Sequence, residues 1–316
     1  MSLPTSLRSN FAVVIPAYDE AENMADLFEN LASTFQRHEL KGEVILVDDG
    51  STDGTAEQAE PAGGSGGGLD RFRLIRHRRN LGKTEALLSG AAVAQSDWII
   101  LFDADLQHST EEIPRFLAEI EKGYDIVCAR KIGGYEKGLV SRVYNWLSRS
   151  IFRVPVRDLN SMKIFRKSIL DEIRLRHDWH RFFVVLAHAR GYRVGEIDVA
   201  LHARRHGRSK YSGSGRILIG TLDLLSVWFQ LFFSRKPMLL FGIPGMALFF
   251  LGILMGGVAL VIRLLGHGFR PLLDLVVLLM IVGALLFCFA FLAEMVASLR
   301  AEVDDLRRRL HRGDEL

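Results

Sequence analysis

At 316 residues the chain has room for one large domain or two small ones. Its composition, 49 % hydrophobic and 24 % charged, hides a split: residues 1–235 carry charge throughout, whereas residues 238–297 are almost purely apolar. A net charge of +3 is too small to argue for a nucleic-acid partner, and the two cysteines, each in an apolar setting, suggest neither a bridge nor a metal cluster.

The first twenty residues have no long apolar core behind their basic residue, so no signal peptide is expected. From there, apolar β-rich runs alternate with helical spacing, the pattern of an α/β domain with a mostly parallel sheet. Strands are predicted over 11–15, 44–47, 72–75, 98–102, 125–129 and 162–165, and helices over 20–36, 83–94 and 111–122. Ser109 or Thr110, ahead of Glu111 and Glu112, reads as an N-cap with an acidic first turn. The glycine-rich stretch 61–68 reads as a surface loop, because no Lys-Ser/Thr pair follows to make it a phosphate cradle.

Further on, residues 215–233 mix apolar positions with Arg216, Asp223 and Gln230, which suits an interfacial helix or a plain core helix. Residues 238–262 and 275–293 carry no charged side chain; the first is long enough to cross a bilayer core of about 30 Å and the second is near the lower limit. Two buried helices of a soluble core are the bland alternative. Arg235 and Lys236 precede the first run and Arg300, Arg307, Arg308 and Arg309 follow the second, against Arg263 and Arg270 between them. The excess of positive charge outside the hairpin places both termini in the cytoplasm, as in a multi-pass protein of the inner membrane. The expected organisation is a catalytic domain over 1–213, a juxtamembrane helix over 214–235, a two-span hairpin over 236–298 and a charged tail over 299–316. Gly252 and Gly256 permit close helix packing, either within the hairpin or in a homo-oligomer.

In parallel α/β sheets ligands sit beyond the carboxyl ends of the strands. After the first predicted strand stand Pro16, Ala17, Tyr18 and Glu20; after the second, Asp48, Asp49 and Ser51; after the third, Lys83; after the fourth, Asp103, Ala104, Asp105 and Gln107. Asp103 and Asp105 are one residue apart, so in extended chain both carboxylates face one side, and Gln107 continues the alternation. Such hard oxygen ligands suit Mg²⁺ or Mn²⁺ bridging substrate phosphates. Each motif alone has a plainer reading: a surface turn for the acidic pair, a helix cap for Ser51 or Asp53, a solvated charge for Lys83. Their recurrence after four successive strands is what gives them weight. The histidine spacings His177/His180 and His202/His206 lack a third ligand for zinc.

Taken together, VVIPAYDE, VDDGSTDGT, NLGKTEAL and DADLQH resemble the family 2 glycosyltransferases, which have a GT-A fold, in their polyprenyl-phosphate branch. The resemblance runs over roughly residues 10–215, and two C-terminal spans fit the bacterial members. It implies a nucleotide-sugar donor contacted by Pro16, Ala17, Tyr18, Glu20, Asp49, Lys83, Asp103 and Ala104, and a metal held by Asp103, Asp105 and Gln107. It implies a polyprenyl-phosphate acceptor, inverting transfer, and Asp158 as catalytic base or acceptor-site carboxylate beside the catalytic Asp105. Arg204, Gly207, Ser209 and Lys210 resemble the family loop that closes over donor and acceptor phosphates, in keeping with bidentate Arg and mobile Lys contacts. A basic stripe resting on anionic lipid headgroups is the other reading, and both can hold together. Arg130 and Lys131 are further phosphate candidates, with Arg142 a weaker one. Where the family often has Asp after the Gln, this chain has His108. The two-span architecture favours UDP over GDP. A processive polysaccharide synthase would carry an Arg-Trp pair and more spans, and neither is present. An inert membrane-anchored nucleotide-binding protein would have no use for an intact acidic pair with a complete basic loop.

Overall fold

The computed structural model describes residues 4, 6–63, 68–132, 154–159, 161–173, 175, 179–202, 225–229, 237–267 and 270–313. The chain divides into two compact units, Met1–Thr221 and Leu222–Leu316. The expected basic loop with Arg204, Ser209 and Lys210, the helix bearing Arg142 and most of the juxtamembrane segment lie outside the described residues; of the last, residues 225–229 are helical.

Seven strands form the sheet of the first unit: β1 Phe11–Ala17, β2 Glu43–Asp48, β3 Phe72–Arg76, β4 Trp98–Leu101, β5 Ile126–Ile132, β6 Lys163–Arg166 and β7 Val194–Ala200. Their order is β3-β2-β1-β4-β6-β5-β7. Neighbours are parallel except at β6, which runs antiparallel to both β4 and β5. The six predicted strands are all present. β7 was missed because it is an edge strand in which Glu196 and Asp198, both half-buried, interrupt the apolar run. Pairing with β7 also carries β5 on through Arg130, Lys131 and Ile132.

Around the sheet lie α1 Ala21–Arg37, α2 Thr55–Gly63, α3 Lys83–Val93, α4 Glu112–Ile120, α5 Ser168–Glu172 and α6 Phe183–Ala189. One face of the sheet joins Val13, Ile15, Leu46, Ile100, Phe102, Val127 and Ile164 to Phe28, Leu31, Phe116 and Leu117 of α1 and α4 in one apolar core. The other face carries α3, where a Cβ on Gly90 would meet Val14 at 2.4 Å, and α6, whose Phe183 stacks edge-on against Phe165. The glycine-rich stretch expected as a loop over 61–68 is helical at its start: α2 runs through Pro61 to Gly63, where Ala59 and Gly63 are buried and Gly63 packs against the rings of Phe72 and Phe28. Ser109 donates no cap to the helix proper; its hydroxyl accepts from Glu111 N–H, one residue ahead of α4.

The second unit consists mainly of two long helices, α7 Pro237–Leu264 and α8 Arg270–Gly313. Both are long and apolar enough to cross a membrane, and only 17 % of each apolar window is buried. A helix from a soluble core would be mostly buried, so these two are candidate membrane spans. They pack on each other through glycine: a Cβ on Gly245 would meet Phe287 N at 2.7 Å, and one on Gly283 would meet Phe249 N at 2.6 Å. Gly252 faces Met280 of α8, whereas Gly256 makes only an ordinary contact with Val276. α8 continues as helix through most of the charged tail.

Candidate functional site

The chain runs β1 to β2 to β3 in one direction and then returns to place β4 on the far side of β1. The order of the chain therefore reverses between β1 and β4, and the region beyond the carboxyl ends of these two strands is the place where such sheets bind ligands. Because β6 is antiparallel, its beginning meets the end of β4, with Lys163 opposite Leu101. The segment bearing Asp158 thus arrives at the same sheet edge as Asp103. The carboxyl ends of β5 and β7 reach that edge too.

On the β1 side, the loop 18–21 is tied to the loop 51–55. Asp19 N–H donates to the Ser51 hydroxyl, Glu20 N–H to Thr55, and Ala21 N–H to Asp53, while Asp19 accepts from Thr52 N–H. Burial would raise the Asp53 carboxyl, but hydrogen bonds from the Thr55 hydroxyl and from the Ala21 and Thr55 N–H groups leave it below its ordinary value. Of the two residues the sequence offered as a cap for the next helix, Asp53 takes the role, accepting from Thr55 N–H at the start of α2 at 3.0 Å and also from Ala21 N–H at the start of α1, while Ser51 N–H donates to Asp48 at 2.9 Å. Pro16 and Ala17 lie in β1, and Glu20 accepts from the Asn23 amide at 2.6 Å.

Asp49 is buried and its oxygens hold the next loop: Leu81 N–H at 2.9 Å, Gly82 N–H at 2.7 Å and His77 Nδ1 at 2.7 Å. His77 in turn reaches Ser89 of α3 at 3.0 Å. Gly50, at φ +77°, lets the backbone of Arg79 pass where a Cβ would sit 2.4 Å away. These contacts set the start of α3, and with it Lys83, whose ammonium pairs with Asp103. Thr84, the next residue, is held by buried His180 at 3.0 Å, so His180 has a hydrogen-bonding role.

The acidic segment is a turn and not the extended chain that was expected: Leu106 has φ +55°. The alternation survives, with Asp103, Asp105 and Gln107 partly exposed and Ala104, Leu106 and His108 buried. Burial alone would raise the Asp103 carboxyl, but the charge and hydrogen bond of Lys83, helped by His108 and Lys131, hold it far below the usual range. His108 is pushed down to about 4, chiefly by burial and further by Lys131 and Lys83, against the opposing pull of Asp103 and Asp158. Lys83, Lys131 and His108 are therefore near enough to Asp103, and Asp158 near enough to His108, for their charges to be felt. Gln107 C=O accepts from His202 N–H at 2.9 Å, so the chain leaving β7 starts towards Arg204 from beside the acidic turn.

Of the paired candidates on β5, Lys131 belongs to this cluster. Arg130 points to the opposite face, as strand alternation requires, and forms a two-pronged pair with Asp198 of β7. Asp158 is buried. Among the described residues no three His, Cys, Asp or Glu side chains form a metal cage. The donor set that fits a hard cation is Asp103, Asp105 and the side-chain carbonyl of Gln107; the next residue, His108, has its Nδ1 buried and lacking a hydrogen-bond partner. His77, Lys163 and Glu196 are the site-forming residues that sequence reasoning passed over, and His180 was weighed only as a metal ligand; a lysine inside the apolar run at 162–165 was the one visible signal among the first three.

The sequence profile of Glycosyl transferase family 2 matches residues 12–193. Over 304 residues the chain is 33 % identical to a dodecaprenyl-phosphate galacturonate synthase of Rhizobium johnstonii, covering 90 % of this chain and 87 % of that one. It is 29 % identical over 304 residues to an undecaprenyl-phosphate 4-deoxy-4-formamido-L-arabinose transferase of Proteus mirabilis, covering 92 % and 90 %. Among solved structures, glucosyl-3-phosphoglycerate synthase from Mycobacterium tuberculosis, in complex with Mn²⁺ and UDP, superposes with a TM-score of 0.55 at 17 % identity, covering 71 % of this chain and 80 % of that one. At that identity the likeness speaks for the fold alone, which is GT-A-like.

Proposed function

Because the chain belongs to glycosyl transferase family 2, we propose that it moves a sugar from a nucleotide diphosphate onto the phosphate of an undecaprenyl-type lipid, with inversion at the anomeric carbon. The observation that carries this reading is the cluster around Asp103 at the switch point of the sheet, where Lys83 pairs with its carboxylate, Lys131 and His108 add to its field, and Asp158 acts on His108. Two relatives named for transfer to dodecaprenyl or undecaprenyl phosphate, each aligned over most of its length, support the acceptor class. The two-span hairpin favours UDP as the nucleotide.

In this reading Pro16, Ala17, Tyr18, Glu20 and Ala104 line the nucleotide pocket. Asp49 contributes through the loop it holds, since its oxygens fix the turn that delivers Lys83. Asp103, Asp105 and Gln107 hold Mg²⁺ or Mn²⁺, and the next residue, His108, has its Nδ1 buried without a hydrogen-bond partner. When bound, the ion neutralises the donor diphosphate. Lys83 and Lys131 add positive charge where negative charge develops on the departing diphosphate, the interaction that lowers the barrier most.

A phosphate monoester, with a second pKa near about 6, is largely dianionic at neutral pH and needs no general base. Asp158 accordingly positions groups around the acceptor phosphate and the metal site. Arg204, Ser209 and Lys210, which follow the His202–Gln107 hydrogen bond in sequence, grip that phosphate; Arg130 joins them only by giving up Asp198. The apolar helices α7 and α8 tether the domain to the membrane that holds its acceptor.

Replacing Asp103 by Asn tests the arrangement. Turnover is expected to fall by about 100-fold or more, with Mn²⁺-dependent UDP binding lost in calorimetry. An Asp103→Asn protein that bound Mn²⁺ and UDP like the wild type would remove the metal site from this segment.

A further inference from the structure

Three strands carry a row of side chains that transfer does not obviously need. Cys128 of β5 is in register with Lys163 of β6 on one side and with Glu196 of β7 on the other. Residues directly opposite in a sheet share a face, so Lys163, Cys128 and Glu196 lie side by side. This row sits under the segment 157–159. The Lys163 ammonium is fully buried and donates to Leu159 C=O at 2.9 Å, and the Glu196 carboxylate accepts from Arg157 N–H. The two bonds fall on the residues immediately before and after Asp158. Ser161, just beyond, donates to Ala129 C=O of β5.

A buried ammonium is costly to keep without compensation. Burial and Lys83 pull Lys163 below the usual lysine range, while Cys128, Asp158 and Asp103 hold it up. A leucine or methionine would fill the same space without that cost, as buried charges are often replaceable by apolar side chains with no loss of stability. The row therefore calls for a reason other than packing.

We propose that Lys163 and Glu196 are positioning residues for the transfer, clamping the backbone on both sides of Asp158 so that its carboxylate keeps one place at the acceptor end of the pocket. The inference rests on the reading of Asp158 as an acceptor-site group. Neither side chain needs to touch substrate; each acts through Asp158.

Lys163→Met keeps side-chain volume and removes the donor. Glu196→Ala releases the other side of the clamp from a half-buried strand position, away from the buried core. In vesicles with undecaprenyl phosphate, each variant is expected to lower kcat/KM for the acceptor by about 10- to 100-fold. The Kd for UDP with Mn²⁺ stays within about twofold of wild type. Lys163→Arg, which restores a donor, recovers part of the loss. In an Asp158→Asn background, itself impaired, either substitution changes the acceptor kcat/KM by less than about threefold, because the group they position is already gone. Impaired Asp158→Asn protein alongside normal acceptor kinetics in both clamp variants would overturn the clamp alone. So would a full, additive loss in the Asp158→Asn background. Wild-type kinetics for Asp158→Asn would overturn the reading of Asp158 and the clamp with it.

Discussion

Lys83 and Asp103 neutralise each other at the mouth of the sheet, and His108 beside them stays neutral because burial opposes its charge. The two groups act in different pH windows. Asp103, depressed below 3.8, contributes its full stabilisation above that value and loses it as the pH falls through its folded value. His108, depressed from 6.5 to about 4, binds a proton more readily when unfolded, so lowering the pH across that interval favours unfolding. Wild-type stability is therefore expected to drop by up to about 3 kcal/mol more than that of His108→Gln between those two pH values, as read from denaturation midpoints. Parallel pH profiles would show that His108 is not held neutral. At this scale the residue types were legible in sequence and their partners were not. Asp49 was recognisable from its motif, yet its oxygens meet Leu81, Gly82 and His77, which approach only because Gly50 leaves room for Arg79. Lys163 was a charge in an apolar run, but its bond to Leu159 depends on how the chain enters β6.

Among the elements, the glycines of the helical hairpin have a sharp distribution of roles. Gly245 and Gly283 bring the α7 and α8 backbones within the reach of a single Cβ, whereas Gly257 has nothing within 4 Å of that position. Close backbone approach of this kind is a main source of helix association in lipid. Gly283→Leu is expected to destabilise the detergent-solubilised protein by about 1–3 kcal/mol, and Gly257→Leu to leave its Tm unchanged. Equal behaviour of the two variants would mean that the helices do not pack there. The sequence drew attention to Gly252 and Gly256, because spacing of four marks a helix face without saying which part of that face is crossed most closely. In the sheet, periodicity located the six strands with apolar runs. It missed β7, an edge strand whose half-buried positions carry Glu196 and Asp198, and it could not reveal that β6 enters antiparallel. That reversal is what brings Asp158 to the edge where Asp103 lies.

For the whole molecule, the proposed function gives a GT-A-like domain the chemistry and the pair of apolar helices the tethering. If the positive residues flanking the hairpin set its orientation, a reporter fused after Leu316 will be active when it is of the cytoplasmic type. Activity of an exported-type reporter at that position would reverse the topology and put the pocket on the side away from cytoplasmic nucleotide-sugars. In the proposed function, Asp103, Asp105 and Gln107 support metal-dependent transfer from a nucleotide-sugar to a lipid phosphate. The most direct measurement incubates the purified protein in vesicles containing undecaprenyl phosphate with a panel of labelled UDP- and GDP-sugars, and then extracts the lipid. Label is expected to enter the organic phase with at least one donor, to stop with EDTA and to return with Mg²⁺ or Mn²⁺. Label that stayed in the aqueous phase with every donor, or that reached the lipid undiminished in EDTA, would contradict it.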